Sequence, residues 1–199
     1  MKAKLNQITS IILAGGESTR MGQDKGFLGL EGKPMIQYGI DTAKCLSNHI
    51  IVIANNKSYH CLGVPVFPDV YIGKGPLGGI YSGLTHSNTD WNWVIGCDMP
   101  QINTGIAKYL FNHLDKHQII VPLWEGKPQP LCALYNKNCV NDLESCIKKG
   151  ELKMSDVLRT LKVNFINITK DLEFYSPLLF TNLNDQQDVD LFNTNKHES

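Results

Sequence analysis

Short runs of β-branched and aromatic residues recur along the chain, separated by longer stretches whose apolar positions return every three or four residues. The runs Ser10 to Ala14, His49 to Asn55, Val64 to Phe67, Trp91 to Cys97, Gln118 to Trp124, Pro130 to Tyr135 and Val163 to Ile168 read as strands. Between them, Pro34 to Leu46 sets Ile36, Ile40, Ala43 and Leu46 at helical spacing behind a proline suited to a first turn, and Pro76 to Leu84 opens the same way. Asn103 to Leu114, Asn138 to Lys148, Ser155 to Leu161 and Asp185 to Phe192 complete the predicted helices. Near-continuous apolar strands alternating with helices predict an α/β fold, a mostly parallel sheet covered on both faces. In such a fold ligands bind beyond the carboxyl ends of the strands.

Composition narrows this picture. A chain of 199 residues with 42% hydrophobic content builds one sizeable core, so 1–199 reads as a single domain, with loose ends at Met1 to Asn6 and Asn193 to Ser199. Nineteen Lys plus Arg balance nineteen Asp plus Glu, which gives no general attraction to nucleic acid or an anionic membrane. The apolar run Ile11 to Ala14 is too short for a signal peptide or a span, so the expected location is cytoplasmic. The six cysteines form no C-x-x-C pair, which argues against a zinc site or a redox dithiol and for reduced core thiols.

The first strand runs into LAGGESTRMGQDK, Leu13 to Lys25. Gly15 and Gly16 let the backbone turn tightly and offer N–H groups to a phosphate, while Arg20 and Lys25 supply charge. The stretch lacks the G-K-[ST] of a P-loop and the G-x-G-x-x-G of a dinucleotide site. It is either another kind of phosphate loop or a βα turn with solvated cations.

This loop resembles the signature of nucleotidyltransferases that join an NTP to a phosphorylated acceptor, and among them the molybdenum cofactor guanylyltransferases. EGKP (Glu31 to Pro34), GPLGGI (Gly75 to Ile80), GCDMP (Gly96 to Pro100), KPQPLCALY (Lys127 to Tyr135) and FTNLND (Phe180 to Asp185) succeed it in that family's order. The resemblance implies a three-layer α/β/α sandwich of the nucleotide-diphospho-sugar transferase type with a Rossmann-like sheet. It further implies a nucleotide-binding half at about 7–100 and an acceptor-binding half at about 101–192. The implied reaction moves GMP from GTP to molybdenum-bound molybdopterin, with magnesium as cofactor and molybdoenzyme apoproteins or their chaperones receiving the product.

The resemblance also assigns residues. Leu13, Ala14, Gly15, Gly16 and Lys25 would meet GTP, and Asp69 would lie near the guanosine. Position 53 carries Ile where some members have a nucleotide-contacting asparagine, which leaves Asn55 or Asn56 as substitutes. Gly78, Asn182 and Asn184 fall on the acceptor side, and Asn184 is also placed to cap the last helix. Asp98 ends the apolar run WNWVIGCD where a parallel sheet exposes its ligand edge, so its carboxylate suits a hard cation such as magnesium; otherwise it caps the helix near Asn103. Arg20, Lys25 and Asp98 would then stabilise charge during phosphoryl transfer, with no protein nucleophile and no histidine in acid-base chemistry. The tryptophans Trp91, Trp93 and Trp124 read as core or sheet packing. Two alternatives stay open: a cytidylyl- or sugar-phosphate nucleotidyltransferase, and a non-catalytic nucleotide-binding regulator.

Overall fold

The structure is a computed structural model and describes residues 8–14 and 24–197. The elements run β1 (Ile8–Leu13), β2 (Gly29–Leu30), β3 (Lys33–Pro34), α1 (Met35–Lys44), β4 (His49–Ile53), β5 (Val66–Phe67), α2 (Gly75–His86), β6 (Trp91–Gly96), α3 (Thr104–Phe111) and β7 (Ile119–Trp124). They continue through β8 (Lys127–Pro128), β9 (Cys132–Asn136), α4 (Val140–Lys149), α5 (Met154–Thr160), β10 (Val163–Asn167) and α6 (Gln186–His197). Short 3-10 turns occupy Lys25–Phe27, Lys57–Leu62 and Lys137–Cys139. The main sheet has the order β10-β7-β9-β6-β1-β4-β5, with β8 beside β7.

Alternate residues of the central strands feed two cores, which makes the molecule three-layered. Ile8, Ile12, Trp93 and Ile95 meet Ile36 and Ile40 of α1 and Ile106 and Leu110 of α3. Ile11, Leu13 and Val94 meet Leu77, Ile80 and Leu84 of α2 together with Leu143 and Ile147 of α4. The predicted helices and strands are all present, with ends displaced by a few residues. Of the run Val64 to Phe67 only Val66–Phe67 is strand, and α6 continues to His197 beyond the expected end at Phe192.

The sheet is mostly parallel, but β9 lies antiparallel to both β6 and β7. The short segment 125–131 between β7 and β9 explains the reversal, since a parallel return needs a crossover of a dozen or more residues. Two EGKP hairpins are further additions. Glu31 and Gly32 turn β2 into β3, and Glu125 and Gly126 turn β7 into β8; all four have positive φ, 51° and 78° in the first and 49° and 75° in the second. A two-residue turn of that kind matches strand twist, and glycine in the second place carries it without strain.

A third core ties the chain's end to its beginning. Leu183, Val189 and Phe192 pack with Leu28, Leu30 and Met35. Residues 168–185 reach that point as a strap without regular structure, anchored by buried Ile168, Leu179, Phe180 and Leu183. Asn103 also holds it, through an Nδ2–H bond of 3.0 Å to the Phe174 carbonyl. Among the cysteines Cys132, Cys139 and Cys146 are buried, Cys97 is half-buried, Cys45 and Cys61 are exposed, and all are free thiols. Trp93 is fully buried, and Trp124 stacks on Tyr175 with ring centroids 5.1 Å apart. No helix among the described residues is long and apolar enough to cross a membrane.

Candidate active site

Register sets the site. Leu13 pairs in parallel with both Gly96 and Ile53, and Ile53 with Phe67, so β1, β6, β4 and β5 end level with one another. The bonds Ala14 N–H to the Ile53 carbonyl, at 2.9 Å, and Cys97 N–H to the Leu13 carbonyl, at 3.0 Å, extend the ladder one residue further. Asn55, Asp69 and Asp98, each just past the end of one of these strands, therefore emerge along one edge, the ligand edge of a parallel sheet. Leu13 and Ala14 sit buried at the same edge. Gly15, Gly16 and Arg20 lie outside the described residues.

Asp98 is the acidic centre of this edge. Its Oδ1 is sealed from solvent and has no hydrogen-bond partner among the described residues. Burial raises its carboxyl above the usual carboxylate range, and the nearby Lys25 ammonium and a backbone hydrogen bond oppose that rise. A Cβ at Gly96 would stand 2.6 Å from Oδ1, so the missing side chain makes the space this oxygen occupies. Asp98 does not cap the α3 helix: Asn103 does, its Oδ1 accepting from Gly105 N–H at 2.9 Å and Ile106 N–H at 3.3 Å. An unpartnered buried carboxylate oxygen is a donor atom suited to a hard divalent cation. Among the described residues no group of three His, Cys, Asp or Glu is gathered to hold a metal ion, so Asp98 does not by itself complete a cation site.

Lys25 reaches this centre from the 3-10 turn Lys25–Phe27. Its Nζ donates to Asn184 Oδ1 at 2.8 Å. The residue before it is fixed: Asp24 Oδ1 accepts from Gly26 N–H and from the hydroxyl of Tyr59. Tyr59 is fully buried, and burial together with the Asp24 hydrogen bond pushes its phenol well above the ordinary range. Asn184 comes from the strap. Leu183 N–H donates to the Asp98 carbonyl at 2.9 Å, which pins the strap to the site, and Asn182 and Asn184 flank the buried Leu183 as exposed residues. The Asn184 side chain does not cap α6. Asp185 does so, accepting from Asp188 N–H at 2.9 Å, while the Asn184 N–H donates to Asp188 Oδ2 at 2.7 Å.

Asn55 and Asp69 form a second pair. Asn55 Nδ2 donates to Asp69 Oδ2 and Asn55 Oδ1 accepts from Asp69 N–H, both at 2.9 Å. Asn55 also borders a cavity of about 170 Å³ floored by Ala54, Val66 and Pro68 and rimmed by Lys57 and His60, which makes the edge concave here. Gly78, in the first turns of α2, lies where a Cβ would meet the Tyr71 carbonyl at 2.9 Å, so its smallness serves the close approach of the 69–74 loop. Ile53 is a buried strand residue.

The structure thus gathers Lys25, Asp98 and Asn184 in one cluster, and Asn55 with Asp69 in another further along the same edge. Sequence reasoning missed Gly96, Tyr59 and Leu183, the residues that shape, fix and pin those side chains. Gly96 was signalled by its place at a strand end two residues before the acid; the others act across long separations that no local pattern marks.

Comparison with known proteins gives this arrangement its relatives. A family model described as the MobA-like NTP transferase domain matches residues 10–164. A probable molybdenum cofactor guanylyltransferase of Flavobacterium johnsoniae is 34% identical over 192 residues, covering 96% of this chain and 99% of that protein. The molybdenum cofactor guanylyltransferase of Vibrio campbellii is 32% identical over 191 residues, with 94% and 95% covered. The solved molybdopterin-guanine dinucleotide biosynthesis protein A of Archaeoglobus fulgidus superposes with a TM-score of 0.81 at 22% identity, over 96% of this chain and all of that one, a likeness of fold. A family model that spans most of the chain, and relatives that match it almost end to end, establish that the protein belongs to the MobA-like NTP transferases, a family of nucleotidyltransferases.

Proposed function

We propose that this protein transfers GMP from GTP to the terminal phosphate of molybdenum-bound molybdopterin, forming the guanine dinucleotide cofactor and releasing pyrophosphate, in the cytoplasm. The observation that carries the proposal is the meeting of Lys25, Asp98 and Asn184 at the ligand edge. A cation, a buried carboxylate and an amide converge there from the nucleotide loop, the sheet and the strap. The names of the near full-length relatives support the choice of base and acceptor.

In this reading the backbone of Leu13, Ala14, Gly15 and Gly16 receives the nucleotide, with Asn55 and Asp69 at its base and sugar end. Lys25 and Arg20 lie along the triphosphate. Gly78, Asn182 and Asn184 face the acceptor. An oxygen of the acceptor phosphate attacks the α-phosphorus of GTP in line, the bond to the bridging β-oxygen breaks, and pyrophosphate leaves with that electron pair. No proton need be taken from the nucleophile, because a phosphate monoester is largely ionised near neutral pH. Lys25 offsets charge on the equatorial oxygens, and its bond to Asn184 sets it at the boundary between the two substrates. Nucleotidyltransferases of this family usually need a divalent metal; Asp98 would hold it as magnesium, which supplies charge neutralisation between the phosphates when bound. Molybdoenzyme apoproteins or their chaperones would take the product.

The test is turnover of purified protein with magnesium and molybdenum-loaded molybdopterin against a panel of NTPs. Guanylylated pterin from GTP alone supports the proposal. Product from CTP would reassign the base, product from a sugar phosphate the acceptor, and nucleotide binding without turnover would point to a regulator.

A further inference from the structure

We infer that Asn55 is a positioning residue for Asp69 and not itself a contact of the nucleotide; the inference rests on the nucleotidyltransferase reading and refines it. Both ends of the Asn55 amide are engaged by Asp69, the oxygen by its N–H and the nitrogen by its Oδ2, each at 2.9 Å. Two parallel bonds to one residue fix orientation as well as distance. On the helix side the next residue is held too, Val70 N–H donating to Ser82 Oγ at 2.9 Å while Ser82 Oγ–H donates to the Gly78 carbonyl at 2.7 Å. Asp69 is clamped between β4 and α2.

The clamp leaves one atom over. Asp69 Oδ1 is buried and has no partner in hydrogen-bond geometry among the described residues, since the nearby Ser82 hydroxyl donates to the Gly78 carbonyl; burial raises the carboxyl above the ordinary range, opposed by Asn55 and Ser82. An acceptor kept dry and unpaired is a standing cost unless a ligand donates to it. The N–H groups of a base or the hydroxyls of a ribose are such donors. The labour is therefore divided: Asn55 occupies Oδ2 and the backbone, which leaves Oδ1, beside Gly79 at the start of α2, as the oxygen still able to accept from a nucleotide donor. This also accounts for Ile53, because an amide two positions later acts by holding the acid instead of touching the ligand.

An exchanged pair tests the idea in the full-length protein. Asn55→Ala should weaken GTP binding by roughly tenfold to a hundredfold, the usual range for a hydrogen bond to a charged group, with the acceptor KM unchanged. Asn55→Asp sets two carboxylates face to face and should do at least as much harm. Combining Asn55→Asp with Asp69→Asn restores both bonds, the side-chain bond with donor and acceptor exchanged and the backbone N–H of residue 69 still donating to residue 55, and leaves an acceptor oxygen free at position 69. GTP binding by the double variant should recover well beyond the product of the two single losses. Calorimetry without acceptor reads the affinities, and thermal unfolding of each variant shows that the protein is folded. Strictly multiplicative losses, or GTP affinity unchanged in a folded Asn55→Ala variant, overturn the inference while leaving the nucleotidyltransferase reading intact. Failure of the parent to bind any NTP overturns both.

Discussion

Lys25 donates its ammonium to the side-chain oxygen of Asn184 at 2.8 Å, across 159 positions of sequence. One partner lies just after the glycine-rich loop and the other near the end of the strap, so in the proposed mechanism the bond joins the nucleotide and acceptor sides. Lys25→Ala should leave the fold intact, because the bond lies exposed at the surface and Lys25 is no part of the core, and should lower turnover by roughly 10² to 10³. Asn184→Ala should cost less, since it removes the partner and keeps the cation. Steady-state kinetics with thermal unfolding as control decide; a folded Lys25→Ala protein of near-parental activity removes Lys25 from the mechanism.

Asp98 should show function opposed to stability. Desolvation raises its folded pKa above the unfolded value, so ionisation costs folding free energy at every pH above the unfolded value, fully so once pH exceeds the folded one. Asp98→Asn removes that charge and should raise the melting temperature of the metal-free protein by a few degrees near neutral pH, while abolishing turnover. Magnesium should stabilise the parent and not the variant. The same raised carboxyl predicts that the stabilisation of the parent by magnesium fades on acidification at a pH above the ordinary aspartate range, because proton and cation compete for the carboxylate. A metal response retained by the variant would detach the cation from Asp98.

Gly96→Ala should act through its neighbour. The added Cβ falls 2.6 Å from Asp98 Oδ1 and must turn the carboxylate away. A displacement of about 1 Å at reacting groups is worth up to about a hundredfold, so kcat should drop by about one to two orders of magnitude, partly recovered at high magnesium. Parental kcat would show that the acid tolerates reorientation.

Leu183→Ala should damage both fold and chemistry. Leu183 is 1% exposed in the third core, and truncation of such a leucine costs about 2 to 5 kcal/mol, a fall of roughly 5 to 15 °C in melting temperature. The same change loosens the strap residue whose N–H holds the Asp98 carbonyl, so the KM for acceptor should rise more than that for GTP. Equal effects on both constants would assign Leu183 to stability alone.

How far these residues could be read from sequence depended on distance along the chain. Asp98 was legible because an apolar run ends on it, and the layers were legible because Ile11 and Ile12 alternate between them. The direction of β9 was not, since Leu131 to Tyr135 is apolar read either way; the shortness of segment 125–131 held the signal. The hairpins at Glu31 and Glu125 have strands too short to show a period. The cap of α6 was read one residue early, at Asn184, because the predicted helix began at Asp185; the structure gives the cap to Asp185. The Lys25–Asn184 bond has no local signature at all.

The strap carries a consequence for how the protein comes into being. During synthesis the sheet strands β1 to β10 leave the ribosome before Leu183 and Asn184 do, and chains begin to organise as they emerge. Asp98 and Lys25 therefore exist for a time on a sheet already able to collapse, without the segment that pins one and bonds the other. Closing so long a loop comes late, because its entropy is lost before any contact rewards it. On the proposed mechanism, chemistry at this edge thus waits for completion of the chain, because Leu183 and Asn184 supply the contacts that finish it.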